Sequence, residues 1–273
     1  MSGKKLRLGL VGKDVSKSLS AQIHSFILGE LGCEVEYELL SVAVDEFDNA
    51  VRYLMGDFEG FNVTIPYKRD IMEYLDEIVG DAVEFGAVNT VVPGTATGYN
   101  TDGIGFLLML KLEGVEVAGK TALVLGAGGA GRSSAVALKN SGAKVSMYQR
   151  RREELLETCE QLGVTAADSP ECGGFDIVVN ATGVGMHNTV GISPVSEAAF
   201  VGGSVAVDLI YRPKMSEFLR LAERCGLQTV SGGAMLFFQA YYADCYFLGK
   251  VPCEAEAGML YQKYLEKYLE SEE

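Results

Sequence analysis

The chain has 273 residues, 48% of them hydrophobic and 22% charged, a globular composition and not a disordered one. Its 23 basic and 37 acidic side chains leave a net charge of −14, which disfavours phosphate backbones and anionic lipid surfaces as partners. No apolar run reaches the roughly 18 residues of a bilayer span, and the apolar stretch after Lys4 and Lys5 is too short for a signal peptide. The six cysteines form no C-x-x-C pair and the chain has only 2 histidines, so no metal site is expected and reduced thiols in a cytoplasmic protein fit best.

Leu6, Leu8 and Leu10 alternate as in a half-buried strand, and Ile23, Phe26, Ile27 and Leu31 recur at helical spacing before Gly32. A strand at Val35–Val42 follows, then a helix with Phe47, Val51, Leu54 and Met55 on one side. A strand at Phe61–Ile65, a helix from Lys68 to about Val79, and a strand at Ala87–Val92 complete a small α/β unit. Ile104–Leu112 is apolar nearly all round, as a buried or linking helix would be. Beyond it, apolar strands at Thr121–Leu125, Lys144–Tyr148, Asp176–Asn180 and Ser204–Leu209 alternate with helices, the pattern of a parallel sheet covered on both faces. Helices near 234–248 and 254–270 close the chain. The expected architecture is α/β with two domains: 1–103 for substrate and catalysis, 104–238 a Rossmann-type doubly wound dinucleotide domain, and 239–273 helices returning to the first.

Gly126-Ala127-Gly128-Gly129-Ala130-Gly131 follows a buried strand, opens a helix and precedes another strand. That context makes it a dinucleotide loop: Gly126 for the turn, Gly128 for close approach of a pyrophosphate, Gly131 for helix–strand packing. The end of the next strand carries Gln149-Arg150-Arg151-Arg152 where an NAD site usually places an acid, which favours NADP, with Arg150 and Arg151 near the 2′-phosphate. Neither His24 nor His187 stands in a catalytic context, so a lysine paired with a carboxylate is the remaining acid–base candidate. Two polar stretches interrupt apolar elements, Asn62–Lys68 and Ala87–Thr90, the second followed by Asn100-Thr101-Asp102-Gly103.

These segments together resemble the shikimate dehydrogenase family (shikimate/quinate dehydrogenases) from about Gly9 to Gln239. Ser18 and Ser20 in KSLSAQIH match the family's H-S-x-S-P-x-I-H, whose serines hold the substrate carboxylate. Asn62–Lys68 matches N-V-T-x-P-x-K, in which Thr64 would bind substrate and Lys68 would be the acid/base. Asn89 in A-V-N-T and Asp102 in N-T-D-G would contact ring hydroxyls, Asp102 also partnering Lys68. Tyr211 in D-x-x-Y and Gln239 in M-L-x-x-Q complete the implied substrate set, and Thr182, Leu209 and Gly232 stand on the cofactor side with the glycine loop. The resemblance implies NADP(H)-dependent reversible reduction of 3-dehydroshikimate to shikimate, in the shikimate pathway of aromatic amino-acid (chorismate) biosynthesis. It implies no metal, nucleic acid or membrane, and leaves a homodimer open. Alternatives are a quinate/shikimate dehydrogenase using NAD or NADP, an NADP reductase of another substrate class, and a non-catalytic dinucleotide sensor. The sequence departs from the pattern at Lys17 (usually His), Ala21 (usually Pro), Ala234 (usually Gly) and Gln149-Arg150-Arg151 (usually N-R-T or N-R-S).

Overall fold

In the computed structural model, which describes residues 5–268, the chain divides into two compact units. The first combines the described residues up to Thr101 with those from Phe237 onward; the second is Asp102–Leu236. In chain order the first stretch holds β1 (Leu6–Gly12), α1 (Ser20–Glu30), β2 (Val35–Ser41), α2 (Phe47–Asp57), β3 (Gly60–Val63), β4 (Glu77–Ile78), α3 (Asp81–Phe85), β5 (Thr90–Val92) and β6 (Thr97–Tyr99). The second unit holds α4 (Asp102–Leu112), β7 (Thr121–Leu125), α5 (Gly129–Asn140), β8 (Lys144–Tyr148), α6 (Arg152–Leu162), β9 (Thr165–Ala166), β10 (Ile177–Asn180), β11 (Val205–Asp208), α7 (Glu217–Arg224) and β12 (Gln228–Ser231). The helices α8 (Gly233–Phe247) and α9 (Glu254–Tyr268) follow, α8 carrying the boundary between the units.

The first sheet has the order β2-β1-β3-β5-β6-β4, with β1 parallel to both β2 and β3, and β5 antiparallel to β3 and β6. One core of this unit gathers Val51, Leu54, Phe58, Phe61, Val63, Ile71 and Val91 around the stacked rings of Phe47 and Tyr67, whose centroids are 4.1 Å apart. Such an aromatic pair adds about 0.5–1.5 kcal/mol beyond its buried area. Elsewhere in the unit, α1 packs on α9 through Phe26 and Tyr264, with ring centroids 5.3 Å apart.

The second sheet is parallel throughout, in the order β12-β11-β10-β7-β8-β9. Counted within the unit this is the Rossmann arrangement, in which the strand order reverses beside the first strand, here between β7 and β10. β10 and β11 are buried along their whole length, which explains why they read as continuous apolar runs.

The helix expected from Lys68 to Val79 is absent. A 3₁₀ segment at Asp70–Tyr74 and the strand β4 stand there instead. The Ile71 amide does reach back to the Tyr67 carbonyl, but the Lys68 carbonyl accepts from the Val88 amide at 2.7 Å and the Met72 amide turns to Arg69. With its carbonyl taken by a distant segment, Lys68 cannot sustain a helical ladder. The strand expected at Ala87–Val92 shortens to Thr90–Val92 for the same reason. The helix expected at 254–270 runs from Glu254 to Tyr268, where the described chain ends; its last two positions lie outside the described residues.

Candidate functional site

The first unit gathers most of the candidate substrate residues through its main chain. Tyr67 is fully buried, donates its hydroxyl to the Val42 carbonyl at 2.6 Å, and so anchors the loop that carries Thr64 and Lys68, both partly exposed. The Val88–Lys68 hydrogen bond sets that loop beside Asn89. Asn89 is 2% exposed; its Nδ2 donates to Thr101 Oγ1 at 3.0 Å and its Oδ1 accepts from the Thr101 amide at 2.9 Å. Thr101 Oγ1 also lies 3.4 Å from Gln239 Oε1 on α8. The segments holding Lys68, Asn89, Thr101 and Gln239 are therefore joined by hydrogen bonds within one unit.

Ser18 and Ser20 stand at the start of α1, their hydroxyls 3.0 Å apart, with the Ser20 amide donating to Ser18 Oγ at 3.2 Å. Two adjacent hydroxyls form a donor pair suited to a carboxylate. Lys17 is exposed beside them, and Ala21 is the second residue of α1. Asp102 and Tyr211 belong to the second unit: Asp102, 6% exposed, opens α4, and Tyr211 is partly buried after β11. The Tyr211 segment is held by Asp208, which is fully buried and accepts from Ser216 Oγ, the Ile210 amide and Asn180 Nδ2. Burial pushes the Asp208 carboxyl above its ordinary range, while those three donors pull it back.

In the second unit the candidate cofactor residues share the carboxyl ends of the parallel strands, where open α/β sheets bind ligands. The Gly126 amide donates to the Tyr148 carbonyl at 2.8 Å, placing the loop after β7 against the end of β8 and so near Gln149 and Arg150. On its other side Gly126, at φ +99°, lies against Ala181 and Thr182, which follow β10. The Leu209 amide bonds the Asn180 carbonyl, and Gly232 lies against the Leu209 carbonyl, completing a row along β8, β7, β10, β11 and β12.

The loop residues fit a dinucleotide. A Cβ on Gly128 would project into open space, so the backbone there is open to close approach. The N-terminus of α5 has no side-chain cap and no acid in its first turn, leaving its amides and partial positive charge for a pyrophosphate. Of the three arginines, Arg151 pairs with Glu154 at 2.7 Å and Arg152 with Asp168 at 2.7 Å. Arg150 is exposed and has no ion pair among the described residues, so its guanidinium is open to an anion. Ala234 is buried in the first turn of α8.

His24 belongs to neither set. It is fully buried, with Nδ1 2.6 Å from Asp244 Oδ1 on α8, and Asp244 is buried completely as well. The sequence offers no signal for this pair, because the two residues are 220 positions apart. His187 is exposed and opens a 3₁₀ turn (His187–Thr189) at φ +51°. No cluster of three or more His, Cys, Asp or Glu among the described residues could hold a metal ion, and no helix there is long and apolar enough to cross a membrane.

Residues 10–91 match the family model of the shikimate dehydrogenase substrate binding domain. The shikimate dehydrogenase (NADP(+)) of Caldanaerobacter subterraneus subsp. tengcongensis is 37% identical over 257 residues, 89% of this chain and 91% of that protein. Among solved structures, shikimate 5-dehydrogenase of Thermus thermophilus in complex with NADP(H) and shikimate superposes with a TM-score of 0.86 at 34% identity, covering 94% of this chain and 99% of that one. The chorismate mutase/shikimate 5-dehydrogenase fusion protein of Clostridium acetobutylicum gives a TM-score of 0.88 at 33% identity, covering 96% and 98%. Matched at this identity over nearly its whole length, the chain belongs to the shikimate dehydrogenase family.

Proposed function

We propose that this chain is an NADP-dependent shikimate dehydrogenase that interconverts 3-dehydroshikimate and shikimate. The observation that carries the reading is the hydrogen-bonded set linking the segments of Lys68, Asn89, Thr101 and Gln239, in a chain of this family. The first unit is the substrate domain, to which the helices after Phe237 contribute Gln239; the second is the cofactor domain. Ser18 and Ser20 bind the carboxylate by hydroxyl donors, so an acidic protein holds an anion without a basic pocket. Thr64, Asn89, Asp102, Tyr211 and Gln239 supply the mixed donors and acceptors that a ring of hydroxyls requires, and such a site rejects analogues lacking a hydroxyl because its own groups would go unpaired.

Bound NADPH supplies the hydride that the ring carbonyl carbon accepts. Lys68 holds the proton that the carbonyl oxygen takes up, and receives it back in the oxidising direction. Asp102 orients Lys68 and accepts a hydrogen bond from the same hydroxyl. Gly126–Ala130 hold the pyrophosphate, Gln149 and Arg150, with Arg151 beside them, face the adenosine 2′-phosphate, and Thr182, Leu209 and Gly232 line the nicotinamide side. Six free cysteines are consistent with the cytoplasm as its compartment.

The test is an absorbance assay at ~340 nm offering shikimate and quinate, each with NADP and with NAD, where NADP-linked turnover is followed as the general-acid chemistry requires. Turnover with shikimate and NADP supports the reading. Preference for quinate or NAD moves the chain to the neighbouring quinate branch, and NADPH binding without turnover of either substrate refutes it.

A further inference from the structure

His24 and Asp244 serve neither the substrate set nor the cofactor set, and the pair is costly where it stands. Both side chains are fully buried, and His24 Nδ1 lies 2.6 Å from Asp244 Oδ1, short enough for a charge-assisted hydrogen bond. His24 Nε2 and Asp244 Oδ2 have no hydrogen-bond partner among the described residues. The neighbours are aromatic: His24 stacks on Tyr37, with centroids 4.6 Å apart, and tilts against Phe247 at 6.4 Å. An apolar pair of similar size would fill such a site with less desolvation and no orphaned polar atom. Stability does not account for the pair, and what a buried polar pair supplies instead is register.

The register at stake is that of α8 on α1. These helices also meet through rings, Phe26 of α1 lying 6.3 Å from Phe237 of α8. Apolar contact of that kind is non-directional and resists sliding or rolling only weakly. A short hydrogen bond is directional and resists both. Near the same place Phe247 covers Gly60 of β3 so closely that a Cβ there would lie 2.2 Å from its ring, so the end of α8 is seated on the sheet as well.

Both helices carry substrate candidates. Ser20 stands one turn before His24, at the end of α1 that holds the serine pair. Gln239 stands five residues before Asp244 on α8, about 7.5 Å along the axis. Its Oε1 lies 3.4 Å from Thr101 Oγ1, the hydroxyl that receives Asn89 Nδ2. Over so short a span a helix moves as a rigid body, so a slip of α8 on α1 would displace Gln239 from Thr101 and from the serine pair together.

We propose that His24 and Asp244 are positioning residues for the substrate: their buried hydrogen bond fixes α8 on α1 and so sets Gln239, at the ring hydroxyls, against the serine pair at the carboxylate. This inference rests on the shikimate dehydrogenase reading. Neither residue touches the ligand. The pair holds in advance a spacing that binding would otherwise have to impose.

The experiment is steady-state kinetics and thermal melts on the wild type, His24→Phe, Asp244→Ala and the double variant. Each single change strands one buried partner and should lower Tm by roughly 6–20 °C. The double variant keeps a ring beside Tyr37, nearly conserves the summed volume and strands no polar atom, so its Tm should return to within about 4 °C of the wild type or exceed it. Its KM for shikimate should nevertheless stay raised about tenfold, the loss of one substrate hydrogen bond, while its KM for NADP changes by less than about twofold. A role in stability alone would restore the shikimate KM together with Tm. A wild-type shikimate KM in the stable double variant, or equal rises in both KM values, would overturn the inference. Should the double variant stay as unstable as the single ones or fail to fold, Asp244→Glu decides, because it keeps the charge and the hydrogen bond but lengthens the arm by one methylene and so displaces α8. A rise in the shikimate KM alone then supports the inference, and a wild-type value overturns it. A wild type without shikimate turnover refutes the shikimate reading and this inference with it; an active wild type whose shikimate KM is indifferent to the pair refutes the inference alone.

Discussion

Two alanine substitutions in the glycine loop should fail in opposite ways. A Cβ on Gly131 would stand 2.1 Å from the Gly126 carbonyl oxygen, against an ordinary contact of at least 3.4 Å, so the backbones must part by 3.4 − 2.1 = 1.3 Å. Neither partner is a flexible side chain: one is the turn after β7 and the other the first turn of α5. Overpacking of this kind costs about 1–3 kcal/mol or more, and in a protein of this size each kcal/mol lowers Tm by about 2–4 °C. Gly128 differs, with φ −73° and ψ −176°, extended backbone open to any residue, and nothing within 4 Å of an added Cβ. Gly128→Ala should therefore fold as well as the wild type, and through a less flexible unfolded chain gain up to about 0.4–1 kcal/mol. Its methyl group would fill the space the pyrophosphate approaches. Losing one charge-assisted hydrogen bond, at about 1.5–3 kcal/mol, weakens NADPH about 10–100-fold. Melting curves and NADPH fluorescence titrations separate the two outcomes. Wild-type affinity in a folded Gly128→Ala would refute the assigned position of the pyrophosphate, and a wild-type Tm in Gly131→Ala would refute the packing argument.

Lys68→Met should retain NADPH binding and lose about 10²-fold or more in kcat, the scale of general acid catalysis; normal turnover would remove Lys68 from its role. Arg150→Ala should raise the KM for NADP by about 10–100-fold, as loss of a charged hydrogen-bonding partner would, and leave that for NAD unchanged. Arg151→Ala should do less, since its guanidinium is already engaged by Glu154; equal effects in the kinetics would contradict the distinction. Burial raises Asp208 in the folded chain above its unfolded value, so its contribution to stability is fully present below the unfolded pKa and is lost as pH rises through the folded one. Asp208→Asn should accordingly flatten the decline of Tm above about pH 4, and melts giving parallel pH profiles for the two proteins would count against it.

Strand β7 coincides with its expected bounds because a strand buried on both faces is a continuous apolar run, and β8 does so because Val145 and Met147 alternate with less buried neighbours, a pattern that is equally local. The first unit is harder to read. Tyr67, Ile71 and Leu75 have helical spacing, but Tyr67 is committed to Phe47 and Val42, and a carbonyl bonded to Val88 ends the ladder. Short elements such as β6 and α3 give too few residues for periodicity to register. The segments of the candidate site were visible as local motifs; their mutual arrangement was not, because Asn89 to Thr101 and Thr101 to Gln239 are tertiary bonds.

The division of the first unit into two stretches of chain has a consequence during synthesis. His24 waits for a partner 220 positions later, and Gln22 for Tyr264, 242 positions later. At about 5–20 residues per second, a ribosome needs roughly ten to thirty seconds after Thr101 to deliver α8 and α9. Over that interval Phe26 and its neighbours on α1 lack the aromatic rings that cover them in the finished protein. The second unit, drawn from one uninterrupted stretch, faces no such delay. Newborn chains of this protein therefore pass through a period in which a completed nucleotide-binding half is tethered to an unfinished one, and the risk of aggregation on the ribosome is concentrated in α1.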